Sequence, residues 1–335
     1  MNRNPLISVI IPTFNRAGIL PNAINSLLAQ TYTNVEIIIV DDGSTDNTSE
    51  ILQQYKNIKY IYKENGGQGS ARNEGLKHAT GELIASLDSD DEWYPLFLER
   101  CVRKMVDDEL DFVFANWDQQ DPDGRLWDFL TGDPFLALYM HKLKDGWVEL
   151  NDAELRSLYI QACPSPSSSF VTKKQLVSSG WSTKMKIGDD WYLYLDIILS
   201  GKRKAAFTID RLWRKKVTDM NVYDGRKRSE VLEYLYIADT AQILNDFKHK
   251  LTPEEYKLMQ KKHVYGMVEL AKHHLIRNFD LVQSTKLLGK SLTLDASHTL
   301  WSIQNVIAIG YKRNRQALKK RKNDSGIGII ANENS

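Results

Sequence analysis

Four short apolar runs rich in β-branched residues, with helical stripes between them, constrain this chain more than any other feature. Leu6–Phe14 (LISVIIPTF), Val35–Ser44 (VEIIIVDDGS), Ile58–Glu64 (IKYIYKE) and Glu82–Asp88 (ELIASLD) each contain such a run. The first two runs fit buried strands of a parallel sheet, and the other two also read as strands. Between the first two, Gly18–Gln30 places Ile19, Leu20, Ala23, Ile24, Leu27 and Leu28 at helical spacing. Thr45–Tyr55 starts helically, with Thr45 or Asp46 as a cap, and Gln68–Ala79 makes a helix after the Asn65-Gly66-Gly67 turn. A further helix is expected over Pro95–Asp107. The β-α-β-α-β-α-β order predicts a mostly parallel central sheet with helices on both faces.

Each of the four strands ends in chemically loaded residues. They are Pro12-Thr13-Phe14-Asn15, then Asp41-Asp42-Gly43-Ser44, then Asn65-Gly66-Gly67 leading to Arg72, and finally Asp88-Ser89-Asp90-Asp91. Ligands of parallel α/β sheets bind at the carboxyl ends of the strands. One such cluster is ordinary turn chemistry; four on neighbouring strands point to a shared nucleotide and metal site. Carboxylates as close as Asp88 and Asp90 repel one another, and hard divalent cations favour such oxygen donors. Asp91 is expected to cap the helix beginning near Trp93 and Pro95, with Glu92 in the same first turn.

The chain then loosens. Asp111–Gln119 reads as a strand, Asp121–Asp152 as irregular with short helices, and Ser167–Gly180 as a strand leading into a short helix. Gly188–Lys202 is helical, Lys204–Lys216 is a last strand, and Arg228 to about Lys322 is helical and charged. The 335 residues carry a net charge of +1, which gives no bias toward nucleic acid. Two cysteines, Cys101 and Cys163, make no disulfide framework, so a reduced cytoplasmic setting is expected. The N-terminal apolar run is too short for a signal peptide, and no run reaches the ~18 apolar residues of a membrane span.

The series SVIIPTFN, VDDGSTDNT, NGGQGSARNEG, GELIASLDSDD and GDDWYLYLDIILSGK, in this order, closely resembles the family 2 glycosyltransferases of GT-A fold, of the bacterial cell-surface polysaccharide type. The resemblance covers roughly residues 5–220. It implies a GT-A (nucleotide-diphospho-sugar transferase) domain over 1–225. Within it, 1–117 would be the nucleotide-binding half and 118–225 the acceptor-binding half. A helical region over 226–322 and a disordered tail over 323–335 complete the expected organisation.

The resemblance also implies roles. Asp88-Ser89-Asp90 matches the DXD motif: Asp90 would contact Mn²⁺ or Mg²⁺ directly, and Asp88 would sit near the ribose or a metal-bound water. Asp42 would accept the N3–H of uracil, favouring a UDP-sugar over dTDP- or GDP-sugars. Pro12 and Phe14 would line that pocket; they are equally readable as strand-end packing. Asn65 and Arg72 would lie over the nucleotide, with Arg72 binding phosphate or stacking. Asp190 would be the general base that takes the acceptor proton; Asp189 replaces the commoner Glu, and Trp191 could stack on the acceptor or pack in the core. Arg214 or Lys216 would suit a loop closing over the diphosphate, and a solvated basic loop is the competing reading.

The activity implied is inverting, metal-dependent transfer to a hydroxyl of a glycan or lipid-linked acceptor. A catalytically degenerate protein serving as a glycan-binding scaffold is the alternative. The absence of G-x-G-x-x-G after the first strand argues against a dinucleotide site, and PTFNRAG lacks the loop a nucleotidyltransferase needs. His249, His263, His273 and His274 have no carboxylate or Cys partners at metal spacing and read as surface or packing residues. Ser165–Ser169 lacks a nucleophile elbow. Ser297–Lys322 joins Leu300, Trp301, Ile303, Ile307 and Tyr311 to a basic end. Packing on its own domain or on a second copy is the favoured reading of this helix. Peripheral contact with the inner face of the cell membrane is the other, because basic amphipathic helices lie on anionic bilayers.

Overall fold

The computed structural model describes residues 4–216 and 226–308. It divides into two compact units, Met1–Arg226 with Gln242–Tyr256, and Lys227–Ala241 with Lys257–Ser335.

The first unit is a layered α/β structure with one ten-stranded sheet. In chain order it runs β1 (Ile7–Thr13), α1 (Leu20–Leu28), β2 (Val35–Asp41), α2 (Thr48–Leu52), β3 (Ile58–Tyr62), α3 (Gln68–His78), β4 (Leu83–Ser86), β5 (Asp91–Trp93) and α4 (Phe97–Asp107). Then follow β6 (Phe112–Gln120), β7 (Leu126–Asp128), β8 (Trp147–Leu150), α5 (Asp152–Gln161), β9 (Phe170–Lys173), α6 (Asp189–Leu199) and β10 (Ala205–Lys216). The sheet order is β3-β2-β1-β4-β9-β6-β10-β5, with β7 beside β6 and β8 beside β10. The first four strands are all parallel; β1, β2 and β4 carry the buried apolar runs such a sheet favours, whereas β3, with Lys59 in it, is a half-exposed edge strand. Past β4 the sheet becomes mixed: β9 lies antiparallel between β4 and β6, while β6 and β10 pair in parallel.

That order contains a reversal. From β1 the chain builds outward through β2 and β3, then returns to place β4 on the opposite side of β1. Such a switch opens a crevice at the carboxyl ends of the flanking strands. The core below it is dry: Ile7, Val9 and Ile11 of β1 and Ile39 of β2 pack with Leu20 and Ile24 of α1. On the other face α3 lies so close to the sheet that a Cβ at Gly75 would come within 2.5 Å of Ile10 Cγ2. Only glycine fits that crossing.

Two local expectations are corrected. Asp91 and Glu92 do not begin a helix. They lie in β5, an edge strand antiparallel to β10, and α4 starts only at Phe97. A strand wins because Trp93 stacks on Phe97 at 4.2 Å while its backbone pairs with Trp213. Arg214 and Lys216 are not on a loop either. They belong to β10, and both pair with Glu92. The stretch Asp121–Asp152 holds β7 and β8 besides its short helices.

In the second unit, α7 (Arg228–Val231) runs through a π-helical stretch, Leu232–Asp239, to Ala241. Residues 257–273 of a long helix, a second π segment at His274–Asn278, α10 (Leu281–Leu294) and a helix over 296–308 follow. His263 is buried against the Tyr236 carbonyl at 3.1 Å, a packing role. The proposed tail over 323–335 and the basic end of the last helix lie outside the described residues.

Candidate active site

The crevice is built by tying the strand-end loops to one another. After β1 the chain turns at Asn15, held at φ 51°, and its amide donates to Ser44 Oγ at 2.8 Å. Asn15 Oδ1 accepts from the Thr45 amide at 2.8 Å. Asp41 ends β2 and closes its turn, accepting from the Ser44 amide at 2.8 Å and from the Tyr60 hydroxyl at 3.0 Å. Pro12 is buried within β1, and Phe14 stands 44% exposed at the crevice edge.

Asp42 is buried and serves as the anchor of the next loop. It accepts from the amides of Gly66 at 3.0 Å and Gly67 at 2.7 Å, and from Lys63 Nζ at 2.7 Å. Asn65 Nδ2 donates to the Asp42 carbonyl at 2.9 Å. Gly67, at φ 86°, gives the chain the left-handed turn that opens α3.

Arg72, one turn into α3, is the hub. Its side chain is 2% exposed. Nη2 pairs with Asp88 Oδ1 at 2.6 Å, Nη1 with Asp189 Oδ2 at 2.6 Å, and Nε donates to Ser86 Oγ at 3.2 Å. Asp190 Oδ1 lies 3.8 Å from the same Nη1, and the guanidinium sits 5.9 Å from the Trp181 ring centre. Burial opposes the Arg72 charge, but Asp88, Asp189 and Asp190 outweigh it and hold the group protonated. Arg72 thus joins the end of β4 to the N-terminus of α6.

Beyond β4, one ligand oxygen from each of Asp88, Asp90 and Asp91 falls within 4.8 Å of the others. Arg16, from the loop after β1, pairs with Asp90 at 2.6 Å. Burial raises the Asp90 carboxyl, Arg16 opposes that, and Asp88 adds to it. Asp91 is pushed well above the usual carboxylate range by burial and by Asp90 and Asp88. Asp91 Oδ1 is buried without a hydrogen-bond partner, while Oδ2 accepts from Ser168 Oγ at 2.6 Å. A buried lone carboxylate oxygen beside two more carboxylates is a donor set suited to a hard divalent cation, so the residues fit Mg²⁺ or Mn²⁺.

Across the crevice, α6 opens with two acids of different fate. Asp189 is buried and paired with Arg72, and it accepts from Gln68 Nε2 at 2.6 Å. Burial and the neighbouring Asp190 raise it to about 7, against Arg72 and Gln68. Asp190 is only part-buried. Its Oδ2 accepts from the Ser167 amide at 3.1 Å and its Oδ1 from Ser167 Oγ. Burial raises it as well, Arg72 opposes, and Asp88 adds. Trp191 is in the core, its indole N–H donating to the Tyr159 carbonyl at 2.7 Å.

The structure therefore brings Arg72, Asp88, Asp90 and Asp190 into one acidic crevice and Asp42 and Asn65 into its wall. Sequence reading missed three contributors. Arg16 follows the first strand end by three residues, a signal that was available. Ser167 and Ser168 were set aside for want of a nucleophile motif, yet this turn holds both carboxylate groups. Ser168 Oγ accepts from the Asp88 amide at 3.0 Å as well as donating to Asp91.

A sheet with a switch point, an acidic triad at one strand end and a second acid pair opposite defines a GT-A-type fold. Residues 8–159 match the family model described as glycosyl transferase family 2. A glycosyltransferase of Nostoc sp., alr2836, itself uncharacterized, is 52% identical over 101 residues, covering 29% of this chain and 31% of that protein. The chain thus spans about a third of this curated relative. The S. aureus TarS 1–349 structure in complex with UDP-GlcNAc aligns with TM-score 0.62 at 19% identity, covering 92% of each chain. The mannosyltransferase PcManGT from Pyrobaculum calidifontis, in complex with GDP-Man and Mn²⁺, aligns with TM-score 0.56 at 18% identity, covering 99% of this chain and 89% of that one. At such identities these structures bear on the fold alone.

Proposed function

We propose that the protein is an inverting, metal-dependent glycosyltransferase that moves a sugar from a UDP-sugar to a hydroxyl of a glycan or lipid-linked acceptor. Its place would be cytoplasmic, in cell-surface polysaccharide synthesis. The observation that carries this reading is the convergence of Asp88, Asp90 and Asp91 within 4.8 Å, bridged by Arg72 to Asp190 across the crevice. Asp88, Asp90 and Asp91 would hold Mg²⁺ or Mn²⁺, which supplies positive charge for the departing diphosphate.

The other steps belong to the chain. Asp42, fixed by the Gly66 and Gly67 amides, would turn a remaining lone pair to the uracil N3–H, with Asn65 holding the loop and Pro12 and Phe14 beside the base. Asp190 takes the proton from the acceptor hydroxyl as that oxygen attacks the anomeric carbon. The bond from that carbon to the diphosphate oxygen breaks, and its electron pair leaves with UDP. Attack from the opposite face inverts the anomeric configuration. Arg72, its guanidinium taken up by Asp88, Asp189 and Ser86, would keep Asp88 and Asp190 at fixed separation.

Donor binding measured with and without Mn²⁺, beside transfer or donor hydrolysis, tests this. Asp90→Ala should lose Mn²⁺-dependent binding of UDP. Asp190→Ala should lower turnover by about 10²–10⁴ and leave UDP affinity intact. Wild-type turnover in Asp190→Ala would remove the base assignment. Indifference to every nucleotide sugar would remove the transferase reading itself.

A further inference from the structure

Two arginines reach the acidic end of β4, and they are held very differently. Arg72 is locked: its side chain is 2% exposed, and its guanidinium is divided among Asp88, Asp189 and Ser86. Arg16 comes from the turn after β1. Its Nη1 lies 2.6 Å from Asp90 Oδ2, and 17% of its side chain is open to solvent. The backbone beneath it is fixed. The Arg16 carbonyl accepts from the Ile19 amide at 3.1 Å and the Leu20 amide at 2.9 Å, which starts α1. The amides on either side, of Asn15 and Ala17, donate to Ser44 Oγ at 2.8 Å and Asp46 Oδ2 at 3.0 Å. A long side chain on a clamped stem can change partner by rotamer alone, without moving the turn.

The place of that turn suggests the second partner. It leaves the same strand end as Pro12 and Phe14 and is tied to the loop that follows Asp42, yet its guanidinium ends at Asp90. Arg16 therefore reaches from the wall assigned to the base to the carboxylates that fit a divalent cation. A diphosphate held at both would have to run between them, and a guanidinium is a fork for phosphate oxygens as much as for a carboxylate. Beside Asp90, Asp91 Oδ1 is buried without a hydrogen-bond partner, and Asp88, Asp90 and Asp91 bring one oxygen each within 4.8 Å. A cation held there would draw on the same Asp90 carboxylate that Arg16 holds. Two cations on one carboxylate repel each other unless an anion lies between them.

We propose that Arg16 is an exchangeable counter-ion: it competes with the divalent cation for Asp90 and passes to the diphosphate of the donor, so that metal and nucleotide load together. The proposal rests on the metal-dependent transferase reading and adds to it the residue that couples the two ligands. Such coupling is reciprocal: the factor by which UDP tightens the metal is the factor by which the metal tightens UDP. Removing the guanidinium should shrink that factor from both sides.

Titration of the full chain with Mn²⁺, followed by the electron paramagnetic resonance of the free ion, with UDP affinity measured by calorimetry at saturating Mn²⁺, is the test. Arg16→Met should bind Mn²⁺ alone about tenfold more tightly, because a like charge is gone from Asp90. It should bind UDP about tenfold more weakly, the size of one hydrogen bond to a charged group. Arg16→Lys keeps the charge but not the fork. It should match wild type in Mn²⁺ alone and still bind UDP more weakly, which serves as the test if Arg16→Met does not fold. Wild type that binds neither Mn²⁺ nor UDP would remove the transferase reading and this proposal with it. Where wild type binds both, Mn²⁺ affinity that is unchanged or weaker in Arg16→Met overturns this proposal alone, and so does undiminished UDP affinity in either variant.

Discussion

The two units break the usual partition of side chains in opposite directions. The first buries charge: Asp41, Asp42, Arg72, Asp91 and Asp189 are all nearly inaccessible. The second exposes apolar bulk and buries hydroxyls. Both departures cost free energy unless a partner offsets them. In the first unit much of the partner is internal. Arg72 answers Asp88 and Asp189, and Ser167 answers Asp190. What stays unanswered is one oxygen of Asp91 beside Asp90 and Asp88, where a cation fits. In the second unit the structure supplies no internal answer among the described residues. A buried ion has to be solved atom by atom, whereas an exposed apolar face tolerates waiting for its partner. That is why one region reads as a site and the other as a surface.

The largest test of this contrast is Arg72→Met, which keeps the bulk and removes the charge. It leaves Asp88 and Asp189 facing each other unpaired, and should destabilise the protein by about 3–5 kcal/mol. Adding Asp189→Asn should recover part of that loss. Thermal melts with and without Mn²⁺ check both, and the metal should raise the Tm of Arg72→Met by more than that of wild type. An unchanged Tm in Arg72→Met would mean that the carboxylates do not rely on it, and the charge-burying half of the comparison would fail.

A smaller effect is expected at Ser167. Its amide and hydroxyl hold the two oxygens of Asp190, and the amide survives substitution. Ser167→Ala should lower kcat about tenfold, the size of one hydrogen bond to a charged group, with KM for the donor unchanged. Ser167→Thr should restore it. A fall in donor affinity instead would make this turn a support for Asp88 and Asp91 alone.

Trp301→Ser sharpens the other half. Removing a core tryptophan costs about 3–5 kcal/mol, but a residue 52% exposed should be replaceable within about 0.5 kcal/mol. Chemical denaturation of the full chain in the absence of lipid decides it.

Legibility followed the range of the interactions. β1, β2 and β4 were readable because a strand buried on both faces needs an unbroken apolar run, and the chain order fixed their neighbours. Asp88 and Asp90 could be singled out as carboxylates at a strand end, whereas Asp190 stood out only through the family resemblance. Nothing local marked Ser167 and Ser168, since their partners lie 23 and 77 residues away. Asp91 looked like a helix cap because Pro95 follows, and the pairing of β5 with β10 is a contact across more than a hundred residues of chain. For the helix over 296–308, packing and membrane contact both stayed open, because a sequence shows which positions share a helix face and not which face turns inward.

The smallest effect lies at His263, a buried titratable group of the second unit, which also buries Asp239. Burial lowers the imidazole below its ordinary value, against the nearby Tyr236 carbonyl, and Lys290 lowers it further. The folded chain thus holds His263 neutral, while the unfolded chain takes up a proton near pH 6.5. By linkage, the stability from this group is fully present above that value and is lost as pH falls through the lowered folded pKa. His263→Gln should therefore lose less Tm between pH 7 and pH 5 than wild type does, with a modest loss at pH 7 from the vacated packing. If the two proteins lose Tm equally, the folded unit does not hold the His263 imidazole neutral.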